Sequence, residues 1–340
     1  MKKKLNQNSY NLFPLFVIGL FSFIKNLFIK HGPIQFPKKI GDYRFDSEIS
    51  GVKLWNSYIL GIYRNSKGSK AIFKMKDARI KDLHYYSLKN EIAIYDILNK
   101  ATSRFSSSTP KKFHGICFPN KIAVKDTQDI LGILIEYIEG KRVSELSPRK
   151  KVEIYFDIIE FLGYIDNHLT DKERGRISRR GPVHYLILFP FLAIKAILTY
   201  PRSAIFVLSG IPFFLAAIFV MLRDRKIALI HRDIHFENIL ISNKKLVLID
   251  LEQCVLTDPF YEAVTTLRYY WKKDNFYLLL LDSVLQKYSF RKNFRLLFKG
   301  LIVNSATHGL TGKKFPKEMI DSWIDFLKYG VLYSDNVKKV

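Results

Sequence analysis

Three oxygen-bearing side chains recur in one short stretch, Ile230–Gln253, which reads IHRDIHFENILISNKKLVLIDLEQ. Asp233 comes first, Asn238 follows five residues on, and Asp250 twelve residues beyond that. Two carboxylates and an amide oxygen suit Mg2+, which takes a few protein oxygens and leaves the rest of its shell to phosphate and water. The apolar runs Ile227–Ile230, Ile239–Ile241 and Leu246–Ile249 flank these residues. Such short runs, broken by Ser242, Asn243 and two lysines, predict buried strands joined by a tight turn. That arrangement sets Asp233, Asn238 and Asp250 at the ends of neighbouring strands, facing one cleft suited to a metal-bound phosphate.

The pattern H-R-D-x-x-x-x-N, followed by a strand ending in Ile249-Asp250, resembles the protein-kinase-like superfamily. The resemblance is to its atypical branch: aminoglycoside and choline kinases, RIO kinases, and the lipopolysaccharide kinases of Kdo and heptose. It covers residues 45–300 loosely and 230–253 closely. It implies an α+β, two-lobed fold, with an antiparallel-sheet small lobe and a helical large lobe. It implies ATP as donor, Asp233 as the catalytic residue that orients and deprotonates an acceptor hydroxyl, and Asn238 and Asp250 as Mg2+ ligands. The family's nucleotide lysine falls on Lys74 in AIFKMK, with Lys76 on the same strand face as the alternative. Glu91, seventeen residues after Lys74, resembles the glutamate that orders that lysine. LGILIEYIEG resembles the hinge, where adenine would bond backbone groups around Glu136–Ile138.

The chain also departs from the family. No G-x-G-x-x-G precedes the lysine; Gly51 and Gly61 stand ten residues apart, and Asn56 and Ser57 are the polar residues left for phosphates. Asp250 is followed by Leu251-Glu252, and no A-P-E lies downstream, which argues against a peptide platform. Glu252 either assists the metal or caps the turn. Asp258-Pro259 then leads into a helix over 261–271.

The elements that must hold these residues are readable in order. Strands are expected at Val52–Trp55, Tyr58–Tyr63 and Ala71–Met75, then at Ile122–Val124 and Leu131–Tyr137. A helix is expected over 79–100, and residues 101–110 (ATSRFSSSTP) read as a Ser-rich loop. A second helix starts after Ser147, whose hydroxyl can cap it ahead of Pro148. Residues 275–340 alternate apolar and basic and read as helices completing the large lobe.

Two apolar segments have no place in a minimal kinase-like core. Val183–Tyr200 and Ser203–Leu222 are separated by Pro201 and Arg202, and the second has twenty residues without a charge, the length of a membrane span. Arg174, Arg176, Arg179 and Arg180 precede the pair, and Arg223, Arg225 and Lys226 follow it, so both flanks favour the cytoplasmic side. Pro190, Gly210 and Pro212 permit bends, so spanning, re-entrant and buried arrangements all stay open. Residues 1–30 begin MKKK and carry a shorter apolar run, read as an interfacial anchor with a true crossing as the alternative. The domains expected are an anchor over 1–40, a small lobe over 41–135 and a large lobe over 136–340 with the hairpin insert at 170–226.

The 340 residues carry 55 Lys and Arg against 31 Asp and Glu, a net charge of +24. Such a charge attracts polyanions. With 27 Phe and 19 Tyr and clustered apolar residues, an anionic membrane surface is favoured and no nucleic-acid partner is expected. Cys117 and Cys254 imply no disulfide framework. These readings converge on a kinase acting on a hydroxyl of a membrane lipid or glycolipid at the cytoplasmic face of the inner membrane. A soluble small-molecule or RIO-like protein kinase, and a membrane-bound pseudokinase, are the alternatives.

Overall fold

The structure, a computed structural model, describes residues 34–49, 58–105, 110–273, 275–311 and 315–332. The expected anchor at 1–30, the strand at Val52–Trp55 and the polar pair Asn56 and Ser57 lie outside the described residues. In chain order the elements begin β1 (Lys39–Ile40), β2 (Tyr43–Glu48), β3 (Ile59–Arg64), β4 (Lys70–Asp77) and α1 (Leu83–Phe105). There follow β5 (Ile116–Cys117), β6 (Lys121–Asp126), β7 (Ile130–Glu136), β8 (Lys141–Arg142), α2 (Pro148–His168) and α3 (Asp171–Arg174). The hairpin helices are α4 (Pro182–Thr199) and α5 (Ala204–Asp224). Next come β9 (Ala228–Ile230), β10 (Ile239–Ser242), β11 (Lys245–Leu248), β12 (Val255–Thr257), α6 (Phe260–Tyr270), α7 (Phe276–Tyr288), α8 (Phe294–Gly309) and α9 (Lys317–Leu332).

The chain divides into two compact units. One comprises residues 1–143, 164–178 and 236–254, and the other 144–163, 179–235 and 255–340. The boundary between residues 235 and 236 therefore cuts the H-R-D-x-x-x-x-N stretch itself.

The first unit is built on a six-stranded sheet of order β1-β2-β3-β4-β7-β6, antiparallel throughout. Its inner face buries Ile40, Tyr63, Ala71, Phe73, Met75 and Leu134. The alternation that brings Ala71, Phe73 and Met75 to the core is the period-2 signal of AIFKM. Strand β2 was not expected: YRFDSE is exposed along nearly all its length, so no apolar alternation marks it. Helix α1 extends to Phe105 rather than ending near residue 100. Thr102 Oγ1 and Ser103 Oγ donate to the carbonyls of Leu98 (2.9 Å) and Lys100 (2.9 Å), which satisfies these hydroxyls inside the helix and shortens the expected loop. Strands β10 and β11 form a two-residue hairpin with Asn243 and Lys244 both at positive φ (48° and 62°), the turn geometry that matches strand twist.

The second unit is helical around a two-stranded β9–β12 ribbon. Strand β9 thus pairs with β12, and the expectation that the strands carrying Asp233, Asn238 and Asp250 are all neighbours is corrected. Only β10 and β11 are mutual neighbours. The ribbon puts β9 beside the segment that follows Asp250 because Val255–Thr257 is itself a buried apolar run.

Helices α4 and α5 form the expected hairpin, turned at Pro201–Ser203. It is not free-standing. Helix α5 lies on α8 through small residues: a Cβ placed at Gly300 would sit 2.3 Å from the Phe213 carbonyl oxygen, and one at Gly210 would sit 2.7 Å from Val303. Phe189 and Phe214 stack at 3.9 Å to join the two hairpin helices. At the turn Arg202 pairs with Asp321 of α9. The opposite face is bare: only 22% of the apolar window of Pro182–Thr199 and 39% of that of Pro201–Asp224 is buried. Ile194, Leu198, Ile205, Leu208 and Phe219 lie exposed along it. A core helix pair of a soluble lobe would be mostly covered.

Candidate active site

The first unit holds an ammonium ringed by three carboxylates. Lys74, on β4, points its Nζ to Glu91 Oε2 (2.9 Å), Asp250 Oδ1 (2.8 Å) and Glu252 Oε2 (2.9 Å). Each carboxylate has its own support. Glu91 lies mid-way along α1 and is almost fully buried. Glu252 is also buried, in the 3-10 turn Leu251–Gln253, which α1 grips where Asn90 Nδ2 donates to the carbonyls of Glu252 (3.2 Å) and Cys254 (2.9 Å). Asp250 precedes that turn in the left-handed region (φ 59°), a conformation Asp tolerates better than most residues, and its side chain stays about one-third exposed.

Sequence left Lys74 and Lys76 as alternatives. In the structure Lys74 faces the carboxylates, whereas the buried Lys76 Nζ pairs with Asp82 at 3.0 Å. Burial acts to lower the Lys74 value, but Glu91, Asp250 and Glu252 outweigh it and hold the ammonium well above the ordinary lysine range. One cation cannot neutralise three anions. Burial first, then Asp250 and Glu252, push the Glu91 carboxyl up to about 7 in spite of Lys74. Tyr58, which no sequence pattern singled out, closes the cluster. Its ring lies 4.5 Å from Lys74 Nζ, and its hydroxyl donates to the His84 carbonyl at 2.9 Å.

Asn238 is buried in the turn that starts β10, and its carbonyl accepts from Ile249 N at 3.0 Å. The β10–β11 hairpin therefore fixes Asn238 beside the residue preceding Asp250. Glu136 ends β7, with its Oε2 accepting from Asn120 Nδ2 at 2.8 Å. The ladder continues to Tyr137 N, which donates to Lys70 O at 3.3 Å, so Ile138 is the first residue past the sheet. Glu91, Asp250 and Glu252 each bring a carboxylate oxygen within 4.8 Å of the others. This chemistry fits Mg2+ rather than a softer metal.

The second unit carries Asp233. Its Oδ2 lies 3.4 Å from His235 Nε2, and the His235 ring stacks on Tyr269 at 4.7 Å, which locks the imidazole in place. Partial burial acts to raise the Asp233 carboxyl, but the His235 hydrogen bond and the charges of His235, His231 and Arg268 hold it below the usual value. Asp233 is therefore a carboxylate at neutral pH. The loop around it is tied down by Glu262, whose Oε2 accepts Arg232 N at 2.7 Å, and by Thr266 Oγ1, which donates to Ile234 O at 3.2 Å. Burial raises Glu262 to about 7, the backbone amides of Arg232, His231 and Ile234 opposing. The Asp258-Pro259 start of α6 is structural: Asp258 accepts Phe260 N at 2.9 Å and takes Arg291 bidentately at 2.8 and 2.6 Å.

Sequence reasoning passed over His235, Tyr58 and the grip of Glu252 on Lys74. His235 sits two residues past Asp233 in a motif whose conventional positions drew the attention, and Tyr58 lies far from every motif in sequence.

A buried Lys–Glu pair beside an Ile-Asp turn in the first unit, and an ionised HRD aspartate in the second, fit a phosphotransferase of the protein-kinase-like fold. The sequence model of the phosphotransferase enzyme family (APH) matches residues 63–289, and the chain belongs to that family. It is accordingly a phosphotransferase acting on a hydroxyl group. No curated protein matches the chain. Among solved structures, a microcompartment-associated aminopropanol kinase superposes with a TM-score of 0.57 at 12% identity, covering 85% of this chain and 90% of its own. A thermostable aminoglycoside phosphotransferase mutant, in ternary complex with AMP-PNP and hygromycin B, gives 0.55 at 10% identity over 87% and 95%. The amicoumacin kinase hAmiN, in complex with AMP-PNP, Ca2+ and amicoumacin, gives 0.54 at 11% identity over 92% of each chain.

Proposed function

We propose that this chain is an ATP- and Mg2+-dependent kinase that phosphorylates a hydroxyl of a membrane lipid or glycolipid at the cytoplasmic face of the cell membrane. The amicoumacin kinase's complex with AMP-PNP and Ca2+, and the clustered carboxylate oxygens of Asp250, Glu91 and Glu252, support the donor and the metal, which Asp250 and Asn238 would hold. Bound Mg2+ would neutralise charge on the phosphates. Lys74, aligned by Glu91, holds the nucleotide phosphates. Asp233, ionised and oriented by His235, accepts the acceptor's hydroxyl proton as the oxygen–phosphorus bond forms and the terminal phosphoryl leaves ADP.

The observation that carries the membrane reading is the bare outer face of the α4–α5 hairpin. Its inner face and turn are fixed to α8 and α9, so the hairpin lies along its unit with its apolar side outward. That geometry suits insertion into the headgroup boundary better than a free-standing span. Arg179, Arg223, Arg225 and Lys226, exposed at the hairpin's open end, supply charge for anionic headgroups.

A second reading, a soluble small-molecule kinase, is favoured by the acceptors named for the aminopropanol and amicoumacin kinases. Expression of the wild type and of Asp233→Ala, with membrane fractionation and mass spectrometry of lipids and glycolipids, separates the two. The lipid reading expects membrane-bound protein and an added phosphate only with the wild type. A soluble wild type, or membrane binding that Leu198→Lys/Phe219→Lys on the bare face leaves unchanged, favours the second.

A further inference from the structure

Lys74 stands between carboxylates that are mounted differently. Glu91 belongs to α1, whereas Asp250 and Glu252 belong to the turn after β11. Lys74 therefore keeps its Glu91 contact only while α1 keeps its place. A small slide or turn of that helix would leave the ammonium to Asp250 and Glu252, whose attraction at hydrogen-bond distance is strong enough to retain it. Whatever fixes α1 decides where Lys74 points.

The start of α1 is fixed twice from the sheet. On β4, Lys76 Nζ pairs with Asp82 Oδ2 at 3.0 Å. Asp82 in turn caps the helix: its Oδ1 accepts from Tyr85 N at 3.0 Å and its carbonyl from Tyr86 N at 3.3 Å. Just ahead of β3, the Tyr58 hydroxyl donates to the His84 carbonyl at 2.9 Å. His84 and Glu91 stand seven residues apart in α1, two turns along one face.

Tyr58 does more than tether the helix. Strands β3 and β4 pair with Ile59 opposite Met75 and Leu60 opposite Lys74. Tyr58 stands one step further along, so its side chain leaves on the face of Leu60, Lys74 and Lys76, diagonally across from Lys74. Ile59, Phe73 and Met75 take the other face, into the core of the sheet. The Tyr58 ring lies 4.5 Å from Lys74 Nζ, a cation–π contact. The residue is buried, and the His84 ring packs edge-on against it at 6.0 Å, which fixes the ring beside the ammonium. One side chain thus touches both mountings of the Lys74–Glu91 pair: the ring meets the lysine, and the hydroxyl meets the helix that carries the glutamate.

We propose that Tyr58 is a positioning residue for phosphoryl transfer, its ring setting Lys74 and its hydroxyl setting α1, so that Glu91 and Lys74 stay in register for the nucleotide phosphates. Tyrosine suits the task because it is stiff, and bridging two elements with it costs little side-chain entropy. Lys76, the alternative nucleotide lysine of the sequence, acts in the same support through Asp82. The proposal deepens the kinase reading above and rests on it for the role of Lys74.

The test is a double-mutant cycle with Glu91→Gln in the full-length protein, read as kcat of Mg2+·ATP hydrolysis. Tyr58→Leu, which removes both contacts, is expected to lower kcat about tenfold or more, and Tyr58→Phe, which keeps the ring and loses the tether, about threefold. In the Glu91→Gln background, where the pair is already broken, each is expected to cost less than about twofold. A Tyr58 that merely supports the fold costs the same in both backgrounds, and that equality overturns the proposal. Wild-type kcat in folded Tyr58→Leu overturns it as well. Tyr58→Phe, which lacks a single oxygen, carries the cycle if Tyr58→Leu fails to fold by circular dichroism. Acetylation of Lys74 by N-hydroxysuccinimide acetate, followed by peptide mass spectrometry, reads the same placement without turnover. Both Tyr58 variants are expected to speed it in the wild-type background and to change it little with Glu91→Gln. If the wild type hydrolyses no ATP while the labelling follows this order, the kinase reading falls and the placement of Lys74 by Tyr58 stands. Labelling at the wild-type rate in the folded variants overturns the proposal whatever turnover shows.

Discussion

Glu91→Gln separates the two jobs of the Lys74 cluster. The three carboxylates contact one ammonium at 2.8–2.9 Å and lie within 4.8 Å of one another. At an effective dielectric of about 20, each such contact is worth about 6 kcal/mol, and each carboxylate–carboxylate repulsion costs about 3.5 kcal/mol. Gln at position 91 removes one attraction and two repulsions, which nearly cancel, and its amide oxygen still accepts from Lys74. The same balance shows in the titration of Glu91, raised from 4.5 to about 7 by burial and by Asp250 and Glu252. A raised acid holds its proton in the folded state after the unfolded chain has released it. Wild-type stability therefore falls as pH rises from about 4.5 to about 7, by up to roughly 3 kcal/mol. Glu91→Gln lacks this loss, so its stability relative to wild type should improve from pH 5 to pH 8 and match or exceed it at pH 8. Turnover should go the other way. With Glu91 neutral, Lys74 is drawn to Asp250 and Glu252 and away from phosphate, and a displacement on the scale of an ångström costs about 10²-fold in rate. Urea unfolding at both pH values, with Mg2+·ATP hydrolysis measured alongside, reads both effects. A variant that loses relative stability between pH 5 and pH 8, or that hydrolyses ATP at the wild-type rate, refutes the reasoning.

Two further outcomes follow from single residues. Asp250→Asn keeps a side chain that tolerates φ 59° but removes the charge offered to Mg2+, so thermal stabilisation by Mg2+·ADP should shrink by about 1.4 kcal/mol or more, the equivalent of tenfold weaker binding. An undiminished shift would remove Asp250 as a ligand. Gly300→Val places a Cβ where the Phe213 carbonyl oxygen and Ala217 leave no room, and backbone cannot yield as a side chain can. Urea unfolding should show a loss of about 3 kcal/mol, and wild-type stability would mean that α5 does not lie on α8.

What the sequence could reveal follows the range of each interaction. The β10–β11 hairpin, the helix after Ser147 and the strand carrying Lys74 are written in local periodicity and turn chemistry, and they appear within a residue or two of their expected bounds. Strand β2 is held by pairing to β3, with its own side chains exposed, so it leaves no local pattern. The choice between Lys74 and Lys76 could not be local either. Both lie on the same face of one strand, opposite Phe73 and Met75, and only Glu91, Asp250 and Glu252 for one and Asp82 for the other tell them apart. The pairing of β9 with β12 was misjudged for a similar reason. Three apolar runs close in sequence looked like one sheet, but Val255–Thr257, a fourth run of equal quality, competes for Ala228–Ile230 and takes it.

The hairpin shows where local pattern stops being enough. A charge-free run of twenty residues satisfies a membrane span and a buried helix equally well, because composition records how apolar a helix is and not which side is covered. Gly210 and Gly300 decide part of the question. They allow α5 to approach α8 closely enough for backbone contact, which commits one face to protein. Ile194, Leu198, Ile205 and Phe219 remain on the other face, more apolar surface than a solitary soluble lobe commonly leaves to water.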